Sequence, residues 1–401
     1  MKKYHSIFYY TATANFLFFL GNSMYILFPV FLKNMGASES YIGIMNNVDK
    51  VFLIITALSI GSVIRGTDHL KLLRAGYIIL FIAFASYLLI SDLSWFIIII
   101  RVIHGIGFSV AMILGTTIIF DIVPIEDAAE AIGIYGVTGA ITNAISPFIG
   151  EMLLSRGYSH YLLFVISAVL IFLSVCITFI MPRPLIHSHS LKLDTGGGLS
   201  LFLSGPKYVL LSLISIIFGG GFGVIITYLP NFIRTTTDFK FSYFFILYIL
   251  VLVIIRFTFM RIVNSLNRVS LIMTVFAVGI IMNVSLNFLH SVIILMIAGI
   301  LYGITHGVLY PLLNATMVGL VNRDDRDRAN AHYTACFNFG MMIFAFSLGF
   351  LIDYFNSYLA AFNVCAASGA AAILLIYFVT RRYGGLDIKA QNEKILAHEE
   401  N

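Results

Sequence analysis

Charge is scarce in this chain. Asp, Glu, Lys and Arg make up 11% of its 401 residues, against about 25% in ordinary soluble domains. A water-soluble surface cannot be built from so few charges, so a soluble globular protein is excluded. Cysteine is nearly missing too. Cys176, Cys336 and Cys365 are the only three, with no CxxC spacing and no paired His ligands around them. That excludes a disulfide framework and a zinc site. Catalytic signatures are also missing, with no HExxH, no GxSxG and no P-loop. The expectation is a protein that is not an enzyme, holds no cofactor or metal, and does not hydrolyse nucleotides.

What fills the chain is apolar residues, 60% of the total, with a mean hydropathy of +0.97. Crossing a hydrocarbon core of about 30 Å takes about 20 helical residues. Twelve segments of suitable character lie near 8–31, 41–61, 72–90, 94–120, 128–153, 159–181, 207–232, 241–260, 268–289, 292–318, 329–352 and 358–380. Barrel strands would alternate polar and apolar residues, whereas Phe96 to Ile100 and Tyr161 to Ile180 are apolar all round. The spacing predicts an all-α integral membrane protein of twelve transmembrane helices in two pseudo-symmetric six-helix bundles.

Lys and Arg set the orientation. With a cytoplasmic amino terminus, the inside segments hold 17 of the 24 basic residues and the outside loops only Lys33, Arg156, Arg234 and Lys240. Both termini are expected in the cytoplasm, in a multi-pass protein of the cytoplasmic membrane. The net charge of +5 then follows from membrane orientation and implies no nucleic-acid partner. The first segment is too long for the core of a signal peptide and is expected to stay in the protein.

The two halves repeat each other. Phe28 to Gly36 (FPVFLKNMG) falls beside Leu229 to Thr237 (LPNFIRTTT), with Pro29 facing Pro230, and Gly136 to Gly150 falls opposite Ala335 to Gly349. Such a repeat in so apolar a chain marks carriers whose halves rock about a central site. The expected organisation is an amino-terminal bundle over 1–181, a cytoplasmic linker over 182–206, a second bundle over 207–380 and a cytoplasmic tail over 381–401. The linker holds His187 and His189, read as a solvated connector or, alternatively, as a pair touching a metal.

Local motifs carry a family resemblance over the whole chain. Arg101-Val-Ile-His104-Gly105-Ile-Gly107 matches an Arg-x-x-x-Gly-x-Gly pattern in the fourth span, and Ser146-Pro147-x-x-Gly150 matches the end of a Gly-rich motif in the fifth. In the latter, two glycines are replaced by Thr142 and Ser146 and the last by Glu151. The chain thus resembles the major facilitator superfamily, specifically its 12-helix drug:proton antiporter-like branch. The resemblance implies a role for Arg101 in proton coupling and for Pro147 and Gly150 in gating. The family's Gly-x-x-x-Asp-Arg-x-Gly-Arg loop is worn here: Gly61 remains, but Arg65 stands where the acid belongs. Arg65 is expected to gate the cytoplasmic side by pairing with Asp121 or its neighbours; solvated loop charges are the alternative reading.

Ionisable groups within spans are costly and point to function. Asp49, Lys50, Arg101, His104, Glu151 and Arg256 are in this position. At about 1.5 Å per residue, Asp49 and His104 lie roughly 12 Å from the outer ends of their helices, with Asn22 at similar depth. Asp49 is expected to carry the proton, Arg101 to be its electrostatic partner, and His104 to be a relay or cargo ligand. A static Asp49–Arg101 clamp is the competing reading, as is an interhelical bond for His104. Lys50, about 100° round the helix from Asp49, is expected to face the opposite side or to snorkel. Asn22, Tyr25, Asn143, Tyr228, Tyr302, His306 and Asn338 are candidates to line the cargo cavity.

These observations lead to an expectation of a secondary transporter using an ion gradient. Its partners are a small-molecule substrate, protons and the lipid bilayer, and it works as a monomer. Proton-coupled efflux of an amphipathic compound is the leading reading. Uptake or export of an anionic siderophore or metallophore and a non-transporting sensor on the same scaffold are the alternatives.

Overall fold

The structure, a computed structural model, describes residues 6–64, 67–123, 128–182, 205–258, 266–321 and 325–385. All regular structure among them is helical. The α-helices are α1 (Ser6–Ser23), α2 (Phe28–Asn34), α3 (Glu39–Ile64), α4 (His69–Ser86), α5 (Phe96–Ile122), α6 (Ala128–Ser155), α7 (His160–Ile180), α8 (Pro206–Thr236), α9 (Ser242–Thr258), α10 (Arg268–Ser285), α11 (Val292–Val318), α12 (Arg326–Phe355) and α13 (Tyr358–Tyr383). Residues 183–204 of the expected linker, including His187 and His189, and the tail from residue 386 lie outside the described residues, and Pro206 at the linker's expected end already opens α8.

Polar side chains mark where these helices begin. A helix starts with backbone N–H groups that have no partner in the helix, and Ser, Asp or Asn can accept from them. Asp68 accepts from Leu70 and Lys71 at the start of α4, Asn267 from Ser270 at α10, and Ser291 from Ile294 at α11. The first span is broken differently. A 3-10 turn over Met24–Leu27 separates α1 from α2, and Pro29 falls in the first turn of α2, where its missing N–H costs nothing. Its repeat partner Pro230 lies inside the continuous α8.

Ten helical segments among the described residues are long and apolar enough to cross a membrane. The other two expected spans are α3, which carries Glu39, Asp49 and Lys50, and α9, only 17 residues long. The outer surface suits lipid. On α7, Val165, Val169, Phe172 and Leu173 form an exposed apolar stripe at helical spacing. Trp95, 79% exposed, and Tyr354, 83% exposed, sit at helix ends, the position of interfacial aromatics.

The chain divides into two compact units. In the first, α5 packs between α3 and α4, and α7 covers α1 and α4. This unit also takes in Pro230–Phe245, which the repeat assigns to the second half. Two contacts tie that segment down: Asn231 Nδ2 donates to the Pro29 carbonyl at 3.3 Å, and Glu151 accepts from the backbone N–H groups of Phe241 and Ser242 at 2.9 Å each. Glu151, an intramembrane charge on sequence grounds, is therefore a cap for the first turn of α9. In the second unit α10 lies against α11 and α13, around a core that includes Leu211, Ile214, Leu313, Tyr333 and Phe337.

Candidate functional site

A buried polar layer crosses the first unit. Its geometry depends on Gly105: a Cβ there would collide with the backbone carbonyl of Asp49. Glycine lets α5 approach α3 closely enough for side chains one turn away to meet. The Asp49 carboxylate is then shared between two cations. Oδ1 lies 2.7 Å from Arg101 Nη2, and Oδ2 lies 2.6 Å from Lys50 Nζ. Lys50 thus neither faces the opposite side nor snorkels to the interface: its four-carbon stem is long enough to bring the ammonium back to its neighbour.

Arg101, only 2% exposed, has several partners. Nη2 also donates to the Asn46 carbonyl at 2.6 Å, and Nη1 donates to the Tyr87 hydroxyl at 3.0 Å. Tyr87 in turn donates to His104 Nδ1 at 3.0 Å, and His104 Nε2 donates to Asn22 Oδ1 at 2.9 Å. The run Arg101 to Tyr87 to His104 to Asn22 has a consistent direction if His104 is neutral with its proton on Nε2, an assignment that follows from the bonding pattern. Aromatic rings close round this layer. Tyr25 stands 4.4 Å from Tyr87 and 5.5 Å from His104, Phe84 stands 4.9 Å from His104, and Arg101 lies 5.4 Å from the Phe28 ring. The Tyr25 hydroxyl is buried without a hydrogen-bond partner among the described residues.

Asp49, Arg101, His104, Asn22 and Tyr25 therefore come together. Asn143 accepts from Ser23, the chain neighbour of Asn22, at 2.8 Å. Sequence reasoning missed Tyr87, the connecting hydroxyl. It lies in a 3-10 turn after α4, and one tyrosine among 21 gives no pattern signal. Of the gating candidates, Pro147 is buried inside α6 and Gly150 packs on Leu27. Asp121 Oδ2 lies 2.6 Å from His69 Nδ1, while Arg65 lies outside the described residues.

The second unit collects aromatics round a different histidine. His306 Nδ1 lies 2.6 Å from the Tyr248 hydroxyl, a hydrogen bond that Nδ1 accepts when the ring proton is on Nε2. The imidazole has Phe222 at 4.6 Å, Tyr310 at 5.6 Å and Phe337 at 6.4 Å, the last stacked with its plane nearly parallel at 8°. Tyr302 stacks on Phe222 at 6.0 Å. Of the other candidates, Tyr228 donates to the Ala345 carbonyl and is fully buried, and Asn338 donates to Thr334 within its own helix. No cluster of three or more His, Cys, Asp or Glu suited to a metal occurs among the described residues, and the three thiols are free.

Comparison with known proteins agrees with this architecture. The sequence model of the Major Facilitator Superfamily matches residues 11–289 and 237–397. No curated protein matches by sequence. Among solved structures, the nucleoside transporter NupG is similar with a TM-score of 0.80 at 12% identity, over 94% of this chain and 99% of that one. A D-xylose-proton symporter gives 0.72 at 14%, over 93% and 96%. The human organic anion transporter MFSD10 (TETRAN) gives 0.65 at 13%, over 93% and 98%. At such identities the likeness speaks for the fold, and the family match over most of the chain speaks for descent. The chain belongs to the major facilitator superfamily and is a multi-pass membrane protein of the secondary-transporter class, not an enzyme.

Proposed function

We propose that this protein exports an amphipathic organic compound in exchange for protons across the cytoplasmic membrane, with both termini in the cytoplasm and Asp49 carrying the proton. The observation that carries this reading is the buried Asp49 carboxylate held between Arg101 and Lys50. A carboxylate that neutralises two cations must release at least part of that hold when it takes up a proton. Protonation then changes which contacts α3 and α5 make, and this is the kind of differential interaction a two-state carrier needs. Arg101 keeps its bonds to Asn46 and Tyr87 in either state, so it serves as a fixed electrostatic partner. His104, with both ring nitrogens engaged, serves as a relay between Tyr87 and Asn22. The efflux direction rests on the Ser146-Pro147-x-x-Gly150 resemblance to the antiporter motif.

A second reading, an anionic cargo such as a siderophore or metallophore, is favoured by the charge balance of the same layer, two cations to one carboxylate. Both readings are tested by pH-gradient-driven flux in proteoliposomes with a panel of amphipathic drugs and siderophores. Asp49→Asn is expected to abolish gradient-driven flux of whichever compound the wild type moves. Flux in Asp49→Asn that still follows the pH gradient would remove Asp49 from the mechanism.

A further inference from the structure

Arg256, in the last turn of α9, is the intramembrane charge that neither the polar layer of the first unit nor the Glu151 cap of α9 uses. Four exposed apolar residues of α9, Tyr243, Ile246, Leu250 and Ile254, recur at helical spacing and form its lipid-facing stripe. At about 100° per residue, Arg256 lies about 160° from Ile254, on the stripe of the buried Ile249 and Leu252. Yet Arg256 is exposed. An exposed charge on the protein-facing side of a membrane helix faces water-accessible space inside the protein.

Its surroundings are aromatic and carry no counter-charge. A Cβ on Gly307 would lie 3.3 Å from Ile255 and 3.4 Å from the Leu252 Cα, so α9 and α11 touch at the level of Arg256. This sets the guanidinium beside the His306–Tyr310 turn, within electrostatic range of His306, Tyr248 and Tyr310. Arg256 makes no ion pair or hydrogen bond among the described residues. The helices α8, α9, α10, α11 and α13 contain no Asp or Glu, and α12 has only Asp327 and Asp353, in its first and last turns. His306 is likewise half committed: Nδ1 is taken by Tyr248, and Nε2 has no hydrogen bond among the described residues. His104, two hundred and two positions earlier in the repeat, has both nitrogens occupied.

We propose that Arg256, His306 and the ring of the half-buried Phe222 form a binding site for a flat aromatic anion, a carboxylate or sulfonate. The inference rests on the transport reading and specifies its cargo. The planar guanidinium binds the anionic group through two parallel N–H bonds. His306 Nε2 supplies one further hydrogen bond, and the ring of the cargo stacks on Phe222. Such a compound has the amphipathic body of the first reading and the negative charge of the second.

The test measures binding to purified full-length protein in nanodiscs by calorimetry, with 2-naphthalenesulfonate as probe. Its neutral analogue 2-naphthylmethanol and the ringless anion methanesulfonate serve as comparisons. The wild type is expected to prefer 2-naphthalenesulfonate to both. Arg256→Gln is expected to weaken it by about tenfold to a hundredfold, with Arg256→Lys intermediate. Phe222→Leu, a milder change in case Arg256→Gln does not fold, should weaken it by about threefold to tenfold. Equal affinity for the neutral analogue, no binding by the wild type, or unchanged affinity in both Arg256→Gln and Phe222→Leu would overturn the site. The transport reading is judged separately, by gradient-driven flux of the drug and siderophore panel, which can succeed where this site fails.

Discussion

Arg101 joins two otherwise separate groups of polar atoms: the carboxylate and carbonyl of α3 on one side, and the Tyr87–His104–Asn22 run on the other. Removing one member of a buried ion pair leaves the other charge uncompensated, at a cost of about 3–5 kcal/mol. Arg101→Gln is expected to lie at the low end of that range, because Lys50 still holds Asp49, and to show as a clear fall in melting temperature. Arg101→Lys is not a conservative change here, since a single ammonium cannot reach Asp49, Asn46 and Tyr87 together. Tyr87→Phe removes only the bridging hydroxyl and leaves His104 Nδ1 with the long 3.4 Å contact to Arg101 Nη1 alone, with an expected cost of about 1–3 kcal/mol. A double-mutant cycle with His104→Leu should give a coupling of about 0.5–3 kcal/mol. Zero coupling would mean that the hydroxyl and the imidazole do not act together.

At the scale of helices, the approach of α5 to α3 is set by the missing side chain of Gly105. Gly105→Ala would push the two backbones apart at Asp49. The expected destabilisation is about 1–3 kcal/mol, with a larger proportional loss of gradient-driven flux than of melting temperature, because the Asp49–Arg101 distance changes directly. A fall in flux no greater than the loss of folded protein would show the contact to be packing alone. Glu151 is an element-scale device of another kind. It neutralises two free N–H groups at the start of α9 and complements the positive end of that helix. Glu151→Ala is expected to cost about 1 kcal/mol in thermal denaturation.

For the whole molecule, the distribution of basic residues predicts which loops face which side. In a background with Cys176, Cys336 and Cys365 replaced, Arg156→Cys should react with a membrane-impermeant maleimide added outside intact cells, and Lys71→Cys should not. The opposite result would invert the orientation and, with it, the direction assigned to proton flow. The allocation of Pro230–Phe245 to the first unit is also a whole-molecule property. The repeat places that segment in the second half, but the bonds from Pro29 and Glu151 are made in three dimensions and leave no trace in sequence periodicity.

The fold class was readable from composition and spacing, because a hydrocarbon solvent admits few solutions: runs of about 20 apolar residues must be helical, and two such sets in register make a two-half carrier. The depth count likewise brought Asp49 and His104 to one level, with Arg101 about one turn shallower, since rise per residue is constant in a helix. Depth fixes height but says little about direction or reach. Lys50 turned back to Asp49 through its flexible stem, Tyr87 entered from a 3-10 turn with no periodic signal, and Glu151 became a cap for a helix ninety residues away. His104 and His306 occupy matching places in the repeat, yet one has both nitrogens bonded and the other only one. That difference comes from which helices surround each ring, and so it was decided by tertiary packing, beyond the reach of the linear pattern.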